Sequence, residues 1–342
     1  MAFYDGLFKT LGLEGWCGDA ASSAPMSMAE LLAKSSGEET KGEFFPFPSL
    51  DNLNESCSGI IQSRDVTKGI ENGFLAAKPS LKAVLDPITQ PLSWLLDGAL
   101  WVFAATPWFI MVPILVAISW FASRSKPVTI FVFASIMLLG LVDHYEVAMQ
   151  TLSIIFVCTG ISILLGVPIG IAMSKSDTLQ RSVVPVLDLL QTLPTFVYLI
   201  PLIFLFSVTE SKLYGIAIIL YAIVPVIRLT DLGIRLVDKD VIEAANAFGM
   251  NSRQKLWRVQ MPLALPNIMA GINQTIMMSL AMVVIASLVS APGLGVNVLR
   301  GIRNLELGVG IVAGIGIVLL AVILDRVSKA ALTRVDMTHV KH

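Results

Sequence analysis

Long runs of apolar residues in the last two-thirds of the chain constrain its fold more than any other feature. One run covers residues 148–173 and another covers residues 307–325. A helix of about 20 apolar residues crosses about 30 Å of hydrocarbon while hydrogen-bonding its own backbone groups. The composition agrees, because only 14% of the residues are charged, compared with about 25% in soluble proteins. The sequence therefore predicts an all-α, polytopic membrane helix bundle.

The apolar runs predict about seven spans. They cover residues 107–123, 127–142, 148–173, 187–208, 213–229, 265–290 and 307–325. Lysines and arginines collect after the first, third, fifth and last runs, and positive charge resists translocation. We therefore expect the N-terminus outside and the C-terminus inside. Arg300 and Arg303 depart from this pattern, because they fall in a connection that it places outside.

Three regions follow from the pattern of spans. Residues 1–90 contain Gly, Ser and Pro clusters and are expected to form a poorly structured N-terminal tail on the periplasmic or extracellular side. Residues 91–334 form the transmembrane domain, with a polar loop at 237–262, and residues 335–342 form a C-terminal tail. Around residue 90, apolar residues at helical spacing predict an amphipathic helix at the outer membrane interface. They are Ile88, Leu92, Leu95, Leu96 and Ala99.

Catalytic and metal-binding patterns do not occur in the sequence. It contains no G-x-x-x-x-G-K-[ST] loop for nucleotide phosphates, and its histidines form no cluster with cysteine or carboxylate at metal-ligand spacing. We therefore expect no catalytic residue, metal, cofactor or nucleic-acid partner. Cys17 and Cys57 could pair in an oxidising compartment, although two unpaired thiols are the simpler interpretation.

Ionisable residues are scarce inside the predicted spans, and Asp188, near the start of the fourth span, is the main candidate. Ion-coupled carriers usually hold ionisable groups deep in the membrane to bind their driving ion. The scarcity suggests that energy for any transport enters elsewhere. An ion-coupled secondary transporter or a channel for a small solute is the alternative.

The polar loop "EAANAFGMNSRQKLWRVQMP" at residues 243–262 predicts two short helices. Asp240 is expected to cap the first helix together with Glu243, and Gly249 suits the left-handed position at its end. Residues at i, i+3, i+4 and i+7 form one apolar face of this helix. They are Val241, Ala244, Ala245 and Phe248.

The second helix of the loop is expected to begin at a cap, either Asn251 or Ser252, and to end near Pro262. Its cations are Arg253, Lys255 and Arg258, and its apolar residues one turn apart are Leu256 and Val259. Such a pair of helices has the form of a docking surface. A surface loop that folds back onto its own spans fits the periodicity equally well.

The motif "EAA", three residues, "G" and then nine residues before "VQMP" resembles the EAA loop of binding-protein-dependent ABC importer permeases. The matching positions are Glu243, Ala244, Ala245, Gly249 and Pro262, while Val259 and Met261 replace the usual Ile and Leu. The segments "VLDLLQTLPTFVYLIPLIFLF" and "GIGIVLLAVILDR" resemble the glycine betaine/proline betaine branch of that family. The resemblance covers residues 90–330.

The resemblance implies a permease subunit that imports a small quaternary ammonium or zwitterionic osmolyte across a bacterial inner membrane. It implies two permease chains, two ABC ATPase subunits that bind ATP and Mg²⁺, and a periplasmic or extracellular substrate-binding protein. The loop would dock on the ATPase and couple its closure to alternating access. The coupling residues would be Glu243, Ala244, Ala245, Phe248, Gly249, Arg253 and Pro262.

Candidate pathway residues follow from the chemistry of such a solute. Quaternary ammonium groups favour aromatic faces, and polar side chains within spans can contact a polar solute. The candidates are Phe196, Tyr198, Tyr221, Asn273, Gln274 and Thr275. An aromatic residue in a span more often packs against lipid or neighbouring helices. Two G-x-x-x-G pairs, Gly166 with Gly170 and Gly310 with Gly314, predict close helix packing, more simply within one chain than between two.

Overall fold

The computed structural model describes residues 10–12 and 63–339. Residues 63–339 are almost entirely helical, which confirms the predicted all-α bundle, and the described residues include no strand. The helices are α1 Ser63–Ala105, α2 Trp108–Ser123, α3 Lys126–Leu141, α4 Tyr145–Lys175, α5 Asp177–Thr192, α6 Leu199–Leu205, α7 Ser211–Arg235, α8 Lys239–Ala247, α9 Ser252–Lys255, α10 Met261–Ala286, α11 Leu294–Arg303 and α12 Leu307–His339. Two 3₁₀ turns, Thr195–Tyr198 and Ser287–Val289, and a π-helical turn, Leu256–Gln260, connect some of them.

Four continuous helices are long and apolar enough to cross a membrane. They are Tyr145–Lys175, Ser211–Arg235, Ser252–Val289 and Leu307–Ala331. Two bent pairs bring the number to six if each pair is one span: α1 with α2, bent by 114°, and α5 with the 195–205 segment, bent by 106°. Helix α3 is apolar but shorter. The seven spans and their orientation therefore stay predictions.

Helix α1 changes the interpretation of the N-terminal region. Its first residue is Ser63, so the expectation of a poorly structured tail is wrong over residues 63–90. The remainder of that tail, with Cys17 and Cys57, lies outside the described residues apart from 10–12. Similarly, α12 extends through residue 339 and includes most of the expected C-terminal tail. The described residues fall into two units that divide after Leu81, and the bundle described below belongs to the second.

Helix α7 lies at the centre of the bundle, packed between α4 and α10. Glycines allow this close approach: a Cβ on Gly170 would lie 2.7 Å from the Ile227 carbonyl oxygen, and one on Gly166 would lie 2.4 Å from Val226. These contacts confirm the first small-residue pair as packing within one chain. In the second pair, Gly310 meets Gly301 of α11, whereas Gly314 has open space around it.

Candidate functional site

Residues 238–262, called the elbow below, fold into two short helices between α7 and α10. The first helix, α8, is capped by Asp238, whose carboxylate accepts a hydrogen bond of 3.0 Å from the Asp240 backbone N–H. The prediction that Asp240 caps this helix together with Glu243 is therefore wrong. Asp238 keeps the extended backbone that a cap needs, with ψ 132°, whereas Asp240 already lies within the first turn. Glu243 is left exposed on the outer side of α8.

The turn between the two helices contains the predicted left-handed glycine, since Gly249 has φ +72°. Its backbone N–H donates to the Asn246 carbonyl at 2.9 Å, and the Met250 N–H donates to the Ala245 carbonyl at 3.1 Å. These two bonds make a Schellman motif, which satisfies carbonyl groups that the end of a helix leaves free. The turn is therefore fixed by the backbone and by one residue without a side chain.

The second helix, α9, begins at a complete capping box. The Asn251 side chain accepts from the Gln254 backbone N–H at 2.8 Å, and the Gln254 side chain accepts from the Asn251 N–H at 3.1 Å. Of the two caps left open by the sequence, the structure therefore selects Asn251. The Lys255 ammonium also donates to the Asn246 side-chain oxygen at 2.8 Å, which ties α9 to α8.

The expectation that the second helix ends near Pro262 is wrong. The chain continues through the π-helical turn 256–260 into α10, where Pro262 lies in the first turn. A proline in a continuing α-helix removes one hydrogen bond and clashes with the preceding turn. The wider π turn, closed by the Met261 N–H and the Leu256 carbonyl, precedes the proline and is compatible with its missing donor.

Apolar side chains of the elbow divide between an inner and an outer surface. Ala245 and Leu256 are buried, and Leu256 packs in a cluster with Ile234 of α7 and Ala264 and Ile268 of α10. The predicted single apolar face of α8 is therefore split, because Ala245 turns inward. Phe248 and Trp257 remain 84% and 57% exposed. The outer surface also contains exposed side chains of Ala244, Arg253 and Arg258.

This arrangement can transmit a displacement. Each helix of the elbow is capped, and the two helices are joined by the Schellman turn and the Lys255 bond. Leu256 packs the pair against the C-terminal end of α7 and the N-terminal part of α10. A force on the outer surface would therefore move α7 and α10, rather than only deform a loop.

The aromatic candidates for the pathway occupy different environments. Phe196 is 56% exposed in the 3₁₀ turn after α5, and Tyr221 is half-buried on α7. Tyr198 is only 7% exposed, and its hydroxyl donates to the Leu193 carbonyl at 3.4 Å. The structure therefore leaves Phe196 and Tyr221 accessible and uses Tyr198 in packing.

The three polar candidates on α10 are also separated. The Asn273 amide donates to Asp325 at 3.4 Å, and its oxygen accepts from the Ser328 hydroxyl at 2.5 Å, so this residue joins α10 to α12. Gln274 is exposed. Thr275 is fully buried, and its hydroxyl has no hydrogen-bond partner among the described residues.

Sequence reasoning missed a charge pair within the spans. Asp188, singled out as the main intramembrane ionisable residue, accepts a hydrogen bond from Arg228 of α7. Arg228 lies within the fifth predicted span, and this position was the available signal for a partner. Two helical turns further along α7, Arg235 donates hydrogen bonds to three groups: Asp231, Asp177 and the Met173 carbonyl.

Apolar helices long enough to cross a membrane, interrupted by a capped elbow that packs against two of them, are typical of a polytopic membrane protein. The chain belongs to the family of binding-protein-dependent transport system inner membrane components, whose family model matches residues 162–336. It is therefore a multi-pass membrane protein and a non-catalytic subunit of a transporter.

Named relatives are similar over most of the chain. The glycine betaine transport system permease protein OpuAB of Bacillus subtilis is 41% identical over 71% of this chain and 86% of its own length. The glycine betaine/proline betaine permease ProW of Escherichia coli is 38% identical over 78% of this chain and 73% of its own length. The glycine betaine/carnitine permease GbuB of Listeria monocytogenes is 40% identical, covering 71% and 87%.

A solved structure agrees in fold. An inward-facing structure of the MetNI methionine ABC transporter matches 62% of this chain and 99% of the matched chain, with a TM-score of 0.50 and 20% sequence identity. At that identity the match concerns the fold alone.

Proposed function

We propose that the chain is the permease subunit of an ATP-driven importer of a small quaternary ammonium or zwitterionic osmolyte such as glycine betaine or proline betaine. One observation carries the substrate class: three relatives that are 38% to 41% identical over most of the chain are all named for glycine betaine transport. The proposed location is the inner membrane of a bacterial cell, in keeping with the description of the family.

The elbow is the proposed contact with an ABC ATPase subunit on a separate chain, which would bind the ATP and Mg²⁺. Exposed apolar side chains at Phe248 and Trp257, flanked by Arg253 and Arg258, support a protein partner at this surface. Ala244 permits close approach, and exposed Glu243 is available to a cation on the partner. Among the ion pairs of the described residues, none involves Glu243.

The proposed assembly contains two copies of this chain, two ATPase subunits and a substrate-binding protein on the outer side. In this assembly ATP binding would close the ATPase pair and move both elbows. Because Leu256 links each elbow to α7 and α10, the movement would switch the pathway from one side of the membrane to the other.

Reconstitution tests the proposed function. The permease, its ATPase and its binding protein are placed in liposomes, and uptake of radiolabelled glycine betaine is measured with ATP on the ATPase side. We expect uptake that requires ATP and the binding protein, and purified permease alone should bind ATP no better than an unrelated membrane protein. ATP-independent uptake driven by an ion gradient would favour the alternative of a secondary transporter, which family membership does not favour.

A further inference from the structure

Two charged side chains lie at the surface of this chain within predicted spans. Arg228 is on α7, two helical turns before its end, and Asp188 is on α5, shortly before the bend into residues 195–205. Their side chains are 38% and 54% exposed, respectively. Both residues lie next to the ends of predicted spans, 187–208 and 213–229, and ionisable residues within spans usually face the bundle interior or a water-filled cavity.

The backbone beside this pair leads to the same conclusion. The segment from α5 to α6 turns by 106° at Leu193 and Pro194, which interrupts the helical hydrogen bonds of a span. Non-helical backbone at membrane depth is tolerated only when it is buried in protein or lines a water-filled cavity. Pro194 and Phe196 are exposed in this chain, so its own helices leave open the space beside the break.

Helix α7 presents one face to this space. Most of its side chains are buried against neighbouring helices, while Tyr221, Arg228 and Leu232 are not. The intervals of seven and four residues place these three on one face of an α-helix. This face therefore carries the Tyr221 ring and the Arg228 guanidinium. The Asp188 carboxylate lies across from Arg228 on α5.

Arg228 has unused hydrogen-bonding capacity, unlike the neighbouring arginine of the same helix. Arg228 donates from Nη2 to Asp188, and its buried Nε has no partner among the described residues. Arg235 instead donates from Nε to Asp231 at 2.9 Å, from Nη1 to Asp177 at 2.7 Å and from Nη2 to the Met173 carbonyl at 2.8 Å. Arg235 holds neighbouring helices together, whereas Arg228 can donate a hydrogen bond to a further anionic group.

We propose that the Arg228 and Asp188 pair is a transient binding site for a zwitterion on its way through the permease. The inference rests on the proposed function and adds the residues that would receive the solute. The solute's carboxylate would replace Asp188 at the Arg228 guanidinium and bind two of its N–H groups side by side, the geometry that a guanidinium offers to a carboxylate. Asp188, displaced from Nη2, would then face the quaternary ammonium group.

The existing ion pair explains why such a site would be weak. Binding of the solute breaks the ion pair between Arg228 and Asp188 and forms two new interactions, one with each residue. The cost of the broken pair offsets part of the gain. A transport pathway needs a site favourable enough to enter and weak enough to leave. Tyr221, on the same face of α7, offers an aromatic ring to the methylated ammonium group.

A binding measurement tests the site directly. The complete permease and ATPase complex in detergent, without the binding protein, is titrated with glycine betaine, and saturation transfer to its N-methyl protons is followed by NMR. We expect the double variant Arg228→Gln/Asp188→Asn to raise the dissociation constant by about tenfold or more, as for the loss of a charged hydrogen bond, whereas each single variant also removes the ion pair that the solute must break. The matched control is Lys329→Gln, which breaks an exposed ion pair with Asp325 and should leave binding unchanged.

Choline separates the roles of the two charges, because it has the ammonium group but no carboxylate. It should bind the wild-type complex more weakly than glycine betaine does, and Arg228→Gln should tighten its binding, because the variant frees Asp188 from its ion pair. In liposomes with the binding protein, Arg228→Gln should lower glycine betaine uptake per ATP hydrolysed, while membrane abundance and ATPase recovery stay at the wild-type level. If Arg228→Gln lowers abundance, Arg228→Lys retains the charge and should restore part of the binding.

The results separate this site from the proposed function. If wild-type liposomes take up glycine betaine and the double variant keeps the wild-type dissociation constant, the pair is only structural and the inference is wrong. Equal losses of choline and glycine betaine binding in Arg228→Gln would also overturn the carboxylate contact. If wild-type liposomes take up no methylated ammonium zwitterion, the proposed function fails and this site fails with it.

Discussion

At Gly249 the backbone allows a prediction for a single residue. Its φ of +72° is strained for residues with a side chain, but a Cβ there would meet nothing within 4 Å. Gly249→Val should therefore act through backbone strain of about 1–2 kcal/mol, with no crowding inside the chain. We expect the elbow to lose its shape, so that uptake and ATPase recovery in a pull-down fall while the spans still insert.

The control for this variant is Gly249→Asn, because asparagine tolerates the left-handed region better than other residues with side chains. It should keep most of the uptake. Wild-type uptake and ATPase recovery in Gly249→Val would show that the elbow is not the coupling site. Membrane abundance, measured alongside, separates loss of coupling from loss of the protein.

Local rules predicted some residues of the elbow well. Gly249 and Asn251 were identified because a left-handed position and a cap depend on a few neighbouring atoms. The prediction that Asp240 caps α8 is wrong because Asp238, two residues earlier, can also be the cap. Which aspartate caps the helix depends on where α7 ends. The inward position of Ala245 depends on packing between the two helices, which periodicity in α8 alone cannot specify.

At the scale of helices, the contact between α4 and α7 predicts how replacing each of two glycines of α4 by alanine changes stability. Gly170→Ala would place a Cβ 2.7 Å from the Ile227 carbonyl and 2.6 Å from the Thr230 Cβ, so the helices must separate. We expect a loss of about 1–3 kcal/mol in stability, typical of overpacking. Gly160→Ala, on the same helix, meets open space and should be neutral or slightly stabilising. Thermal unfolding of the purified proteins measures both, and equal midpoints would contradict the close contact.

Ion pairs between α1 and the start of α7 predict that the stability of the fold depends on pH. Buried Lys212 binds Asp86 of α1 at 2.6 Å and Glu210 at 2.8 Å. Burial raises the pKa of Glu210, but hydrogen bonds from Lys212 and the Ser207 N–H and the nearby positive charges outweigh it, so the pKa lies below its ordinary value. A lowered folded-state pKa gives stability that is present above the unfolded pKa, about 4.3 for Glu, and is lost as pH falls through the folded value.

Thermal unfolding at several pH values measures this contribution. The wild type should exceed Glu210→Gln in midpoint at neutral pH, and the difference should shrink as the pH falls below about 4. Glu71→Gln removes an exposed carboxylate from within α1, away from the helix end, and is the matched control, with little change at either pH. A difference between wild type and Glu210→Gln that stays constant down to pH 3 would contradict the role of this ion pair.

Across the whole molecule, apolar runs predicted the bundle but not all of its breaks. Hydropathy predicts residues 187–208 as one span, yet the structure bends there by 106°, next to Leu193, whose extended backbone is favoured before Pro194. The start of α1 at Ser63 was missed because its glycines and prolines are poor helix formers. The partner of Asp188 lies on another helix: an arginine within the fifth predicted span indicates that a partner is needed, but which carboxylate it meets depends on packing between distant segments.

The orientation of the whole molecule gives the last prediction. Cations alternate between connections, which places the elbow inside and the turn between α11 and α12 outside. In a chain whose native cysteines are replaced, Leu305→Cys, at a position 89% exposed, should react in intact cells with a thiol reagent that cannot cross the membrane. Ser252→Cys, exposed at the start of α9, should react only after the cells are opened. The opposite labelling would reverse the orientation, and because a nucleotide-hydrolysing partner works on the cytoplasmic side, it would also remove the elbow from any contact with that partner.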